Sequence, residues 1–215
     1  MYLHPLPLNM EVDDLVSTIQ NLLEEEGLSP KFQKEERSEG HWLLKYPPGP
    51  HGHMFAVVKP KGRDLVAVSS FTRVDLGQQQ EMTRHIKEDL ESWLEWLHDM
   101  RLTLTGSGVD WAIHVGNTPN TGTGPLQAFN VSLPIWLDGF SKNELMQSMR
   151  KLWLAKLALI HDIKHHHGPG IGKPGPVDDL EKKRSKSKKS KTTNEEVETD
   201  ESGSFGAGFD PSEWV

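Results

Sequence analysis

Met54-Phe-Ala-Val-Val-Lys-Pro-Lys-Gly-Arg-Asp-Leu-Val-Ala-Val-Ser-Ser-Phe71 decides how this chain folds. Two apolar runs rich in valine, Phe55–Val58 and Leu65–Val68, flank a Lys61-Gly62 turn. Runs this short do not make helices, and the turn joins them as neighbouring antiparallel strands at the centre of a sheet. Toward the N-terminus, the Pro47–Gly52 loop leads back to a strand at His41–Tyr46. Glu39-Gly40 reads as a turn from a polar, half-exposed strand at Lys31–Ser38. Before it, Met10–Glu26 carries Leu15, Ile19 and Leu23 at four-residue steps, an amphipathic helix closed by Gly27.

Toward the C-terminus, Met82, Ile86, Leu90, Trp93, Leu97 and Met100 form one stripe and predict a second helix over Gln78–Met100. Three strands are expected next, at Leu102–Thr105, Val109–Val115 and Leu126–Leu133, the last two joined by a long polar loop, Gly116–Pro125. Ser141 and Glu144 make a capping box opening a third helix to about His165. The order α-β4-α-β3-α, with no βαβ rhythm, defines an α+β fold: an antiparallel sheet flanked by three helices. Apolar residues cover more than half the circumference of the third helix. Either it is deeply buried, or a second face meets a protein partner or another copy in a homodimer. Trp153 and Leu154 are the candidate contacts on that face.

The chain divides into a lead (1–9), an α+β domain (10–167), a Pro/Gly-rich and charged linker (168–201) and an apolar-acidic peptide (202–215). Lys182, Lys183, Arg184, Lys186, Lys188, Lys189 and Lys191 form a basic block, followed by an acidic one over 195–201. This segment is too polar to offset its ordering entropy, and disorder is expected. The tip differs. Phe205, Phe209 and Trp214 are the kind of side chain that supplies binding energy in small interfaces, glycines separate the two Phe, and Val215 offers a carboxylate. A spacer of about 35 residues reaches roughly 30–35 Å, so the tip can act in trans or on the domain's own surface.

Of 215 residues none is cysteine, which excludes disulfides, thiolate metal sites and a Cys nucleophile. The net charge of −7 divides between both parts: 16 basic against 21 acidic residues before Gly168, 8 against 10 after it. Neither has the positive balance of a general nucleic-acid binder. With no signal-peptide pattern and no run of 18 apolar residues, a cytoplasmic protein without a membrane span is expected.

Histidine offers the sharpest chemistry. His161 and His165 share a helix face, with Asp162 or His166 as further metal ligands. No third fixed ligand is identifiable, and cations at a helix C-terminus complement its dipole, so the His161–His167 run is read as solvated, without metal. His41, His51, His53, His85, His98 and His114 are read as structural or surface groups, with His114 opposite Ile113 and facing solvent. Gly168–Pro176 lacks the strand, the following Ser/Thr and the amides of a phosphate loop. No catalytic residue and no cofactor are assigned.

The order of elements, the size, the acidic character and Leu133-Pro-Ile-Trp-Leu-Asp-Gly-Phe-Ser-Lys-Asn-Glu-Leu145 entering a final apolar helix resemble the type III secretion chaperone-like fold and the YbjN-like proteins, over roughly residues 10–165. That resemblance implies dimerisation and binding of extended peptides on sheet and helix surfaces. It carries no functional residue. The expected function is a non-enzymatic protein-binding adaptor or chaperone-like protein. The alternative is a nucleic-acid-associated accessory protein using the basic block.

Overall fold

A computed structural model describes residues 12–118 and 121–178. Helix α1 (Val12–Glu25) is followed by β1 (Lys31–Phe32), β2 (Ser38–Tyr46), β3 (His53–Pro60) and β4 (Leu65–Arg73). Helices α2 (Leu76–Glu88) and α3 (Leu90–Gly106) come next, then β5 (Asp110–Val115), β6 (Leu126–Trp136), a 3-10 turn (Leu137–Gly139) and α4 (Lys142–His167). The strands form one antiparallel sheet in the order β1-β2-β3-β4-β6-β5. The α+β antiparallel class expected from the sequence is the observed one.

Three elements differ from the sequence reading. First, β1 is two residues long, and Glu39-Gly40 lies inside β2, at a bulge between Ser38 and Gly40. A Cβ at Gly40 would fall inside the Trp42 ring, so this glycine serves a close approach rather than a turn. Second, the single helix expected over Gln78–Met100 is two. Asp89 is extended at φ −151°, its amide closes α2 on His85 O, and its carboxylate opens α3 by accepting from Ser92 N at 3.0 Å. Third, Leu102–Thr105 is helical. Leu104 is buried and extends the stripe of Trp93, Leu97 and Met100, and that packing outweighs the β preference of Thr103 and Thr105. The described residues therefore hold four helices and six strands, not three and seven.

All four helices cover one face of the sheet. Trp42, Phe55, Val57, Val68, Phe129 and Val131 alternate toward them and are fully or almost fully buried. Each such side chain contributes about 1.5–3 kcal/mol. The Trp42 indole donates to Gln20 Oε1 of α1 at 2.6 Å. Lys142 at the start of α4 bridges Glu25 and Glu26 at the end of α1. Leu145, Met149, Leu152, Leu159 and Ile163 of α4 lie in the same core. Much of the breadth of that helix is thus taken up by burial. Ser141 caps it as expected, accepting from Glu144 N at 3.2 Å.

Candidate protein-binding face

Because strand side chains alternate, the residues between those core positions form the opposite face, on which no described helix packs. Registers align Leu43, Ala56, Ser69, Ser132 and Asp110 in one row across β2, β3, β4, β6 and β5. The middle three are 2 %, 1 % and 3 % exposed. One flank holds Met54, Phe71 and Asn130; the other holds Val58, Ala67 and Pro134. The row is a trough roughly 19 Å long at the ordinary strand spacing of about 4.8 Å. Its floor is small side chains.

The floor has unused hydrogen-bonding capacity. Ser69 Oγ and Ser132 Oγ, directly paired across β4 and β6, are buried and have no hydrogen-bond partner, and neither has Asn130 Oδ1 beside them. A buried polar atom left unpaired costs roughly 1–3 kcal/mol, so these groups suit a ligand that brings donors and acceptors of its own. Beyond Phe71, a further row holds Arg73, Ala128 and His114, and the His114 ring meets Phe71 edge-on at 6.0 Å. Lys45 lies on the same face opposite Met54. Asp110 closes the β5 end, where burial pushes its carboxyl above the ordinary range.

The chain after α4 is pinned at one end of this sheet. Asp75, the N-cap of α2, accepts from Gly77 N, Ile171 N and Lys173 N at 2.7–2.8 Å. Burial alone would raise its carboxyl, but the amides of Ile171, Lys173, Gly77 and Gln78 hold it below its ordinary value. Gln78 donates to Gly168 O, Gln79 to Pro176 O, and Asp178 N to Gln127 Oε1. Val177 is buried. The segment read as linker from Gly168 is therefore fixed as far as Asp178. This was missed because Asp75 and Gln79, which fix it, lie about 95 residues earlier in the chain.

Two polar clusters lie on the helix side. Lys156 of α4 donates to Ser70 Oγ at 2.9 Å and sits 5.9 Å from the Phe55 ring, while Ser70 donates to Met54 O at 2.6 Å. A Lys–Ser contact can activate a hydroxyl nucleophile, but here the hydroxyl proton is committed to a carbonyl and both residues are buried. Burial, then the charges of Lys156 and Lys164, hold His53 below its ordinary value. The second cluster corrects the reading of a solvated His run. His167 is 5 % exposed, with its ring edge-on to Trp96 at 4.7 Å and near His85 and Trp93. The Trp96 indole donates to Asp162 Oδ2 at 2.9 Å, and Asp162 also meets His166. Among the described residues no three His, Cys, Asp or Glu side chains converge on a metal position.

Of the expected contact residues, Leu154 is exposed on α4, whereas Trp153 is half-buried with its ring 6.4 Å from Tyr46. As successive residues they stand about 100° apart around the helix. Phe205, Phe209, Trp214 and Val215 lie outside the described residues, as do Lys182, Lys183, Arg184, Lys186, Lys188, Lys189 and Lys191. His114 is half-buried on the open face, opposite Ile113 as expected. Sequence reasoning did not find the trough. Its signal was there: a small residue at one matching position of each central strand, Ala56, Ser69 and Ser132.

Fold and surface define the class: a two-layer α+β domain with helices on one face of an antiparallel sheet. The chain belongs to the family described as an uncharacterized conserved protein, DUF2299, which it matches over residues 15–163. It is similar to a crystal structure of an uncharacterized protein from Methanothermobacter thermautotrophicus, with 26% sequence identity and a TM-score of 0.61. That similarity covers 71% of this chain and 98% of the other. No curated protein matches the chain. No helix among the described residues is long and apolar enough to cross a membrane.

Proposed function

We propose that this protein is a non-enzymatic protein-binding module, an adaptor or chaperone-like domain that holds an extended segment in the trough on its open sheet face. The observation that carries this reading is the unpaired pair Ser69 Oγ and Ser132 Oγ on the trough floor, with Met54 and Phe71 on one side and Val58 and Pro134 on the other. Extended peptide has a backbone donor or acceptor at every residue and apolar side chains to set against Met54, Phe71 and Val58. The resemblance to chaperone-like proteins, whose members bind extended peptides, supports the same reading. The nucleic-acid alternative rests on the Lys182–Lys191 block, and no observation among the described residues favours it.

The test is binding of a labelled, permanently unfolded polypeptide, measured by fluorescence anisotropy. The full chain and a chain ending at residue 201 are each compared with their Phe71→Glu counterparts. Binding at micromolar concentrations that falls at least tenfold with Phe71→Glu is the expected result. Absence of binding, or binding indifferent to Phe71→Glu in a folded variant, would sink the proposal.

A further inference from the structure

We propose that the trough is occupied by this chain's own C-terminal tip, residues 205–215, which docks in cis and must be displaced before a partner can enter. The inference rests on the trough being a peptide site, and it names the occupant.

Three observations point to the tip. The first is where the described chain ends. Asp178 is tied to Gln127, beside the Arg73–Ala128–His114 row, so the remaining chain departs from one end of the same sheet. The 26 residues from 179 to 204, at up to about 3.3 Å each, are long enough to place the tip anywhere along a 19 Å trough. Tethering at that length gives an effective concentration on the order of millimolar, so even a weak peptide site would be mostly filled.

The second is chemical fit. Phe205-Gly-Ala-Gly-Phe209 puts two aromatic rings up to about 13 Å apart when extended. The backbone between them is bare, because glycine and alanine leave the peptide groups uncovered. Such a backbone can approach Ser69 Oγ and Ser132 Oγ closely enough to pair them, while the rings rest on Phe71, Met54 and Val58. The third is charge. Asp210 and Glu213 follow the aromatic pair; Lys45 stands at the β2 end of the Phe71 flank and Arg73 in the row beyond it. Asp110 at the β5 end disfavours the opposite orientation.

The chain has no cysteine, so one introduced thiol carries a probe at a known place. Ala112 is exposed on the open face of edge strand β5 and tolerates a label. A nitroxide on the full-length Ala112→Cys protein is expected to broaden the amide signals of Gly206 and Gly208, unchanged over a tenfold dilution. Separately, an added peptide of residues 202–215 is expected to bind the chain ending at residue 201 at least tenfold more tightly than the full chain. No broadening, or broadening that fades on dilution as a contact with a second copy would, overturns cis docking. Equal binding of the peptide to both chains overturns it too. If the tip fails both measurements while unfolded polypeptide still binds in a Phe71-dependent way, the trough remains a peptide site and only its occupant was misassigned.

Discussion

His167 shows how much one side chain can depend on where its helix ends. Its imidazole is lowered to about 4, first by burial against Trp96 and then by the neighbouring charges of His85 and His166, with Glu81 pulling the other way. An unfolded chain takes up this proton near the ordinary value of 6.5, the folded one only near 4. Stability is therefore fully present above pH 6.5 and lost as the pH falls toward 4. Allowing for partial solvent screening, about 1–2 kcal/mol should go between pH 7 and pH 5. His53, lowered by burial and by Lys156 and Lys164, acts in the same direction. His167→Phe keeps a ring on Trp96 without the titration. Its thermal denaturation at the two pH values should differ less than that of the parent; an unchanged difference would assign the effect elsewhere. None of this was legible beforehand: His165 and His166 are exposed and His167 is not, and only the position of Trp96 separates them.

At the scale of elements, the sequence was most informative where pattern and packing agree. β3, β4 and α4 were read with small boundary errors because apolar runs, turn and cap all pointed the same way. It misled where two elements share one core. Met82 and Ile86 of α2 and Trp93, Leu97 and Met100 of α3 face the same cluster, so their stripe runs on through Asp89 as if the helix did. Neither glycine nor proline marks the break. It is made by one carboxylate that caps the second helix as the first one ends. Asp89→Ala should cost about 1 kcal/mol in chemical denaturation, whereas Asp89→Ser should restore most of it. Amide exchange should locate the loss at the start of α3, around Ser92 and Trp93. A variant equal to the parent would show that packing alone holds the break.

For the whole molecule, packing continues past His167 at least as far as Asp178. The family match ends at residue 163, yet Val177 is buried, and Asp75, Gln78, Gln79 and Gln127 hold the strap that follows α4. A chain ending at residue 178 should lose only what a docked tip contributes, about 1.4 kcal/mol for tenfold occupancy, or roughly 3–6 °C. One ending at residue 167 should lose roughly 2–4 kcal/mol, from an exposed valine pocket and several orphaned polar groups. Similar melting of both would mean the strap contributes nothing. Lys156 has a related meaning for assembly. A helix of alanine and leucine could settle on a sheet in several registrations of similar energy. An ammonium that must find Ser70 Oγ, among residues such as Phe55 and Val68, leaves one. Sliding α4 by one turn would press that charge into hydrocarbon, so the lysine acts as an alignment pin, its worth lying in the misassembled states it forbids.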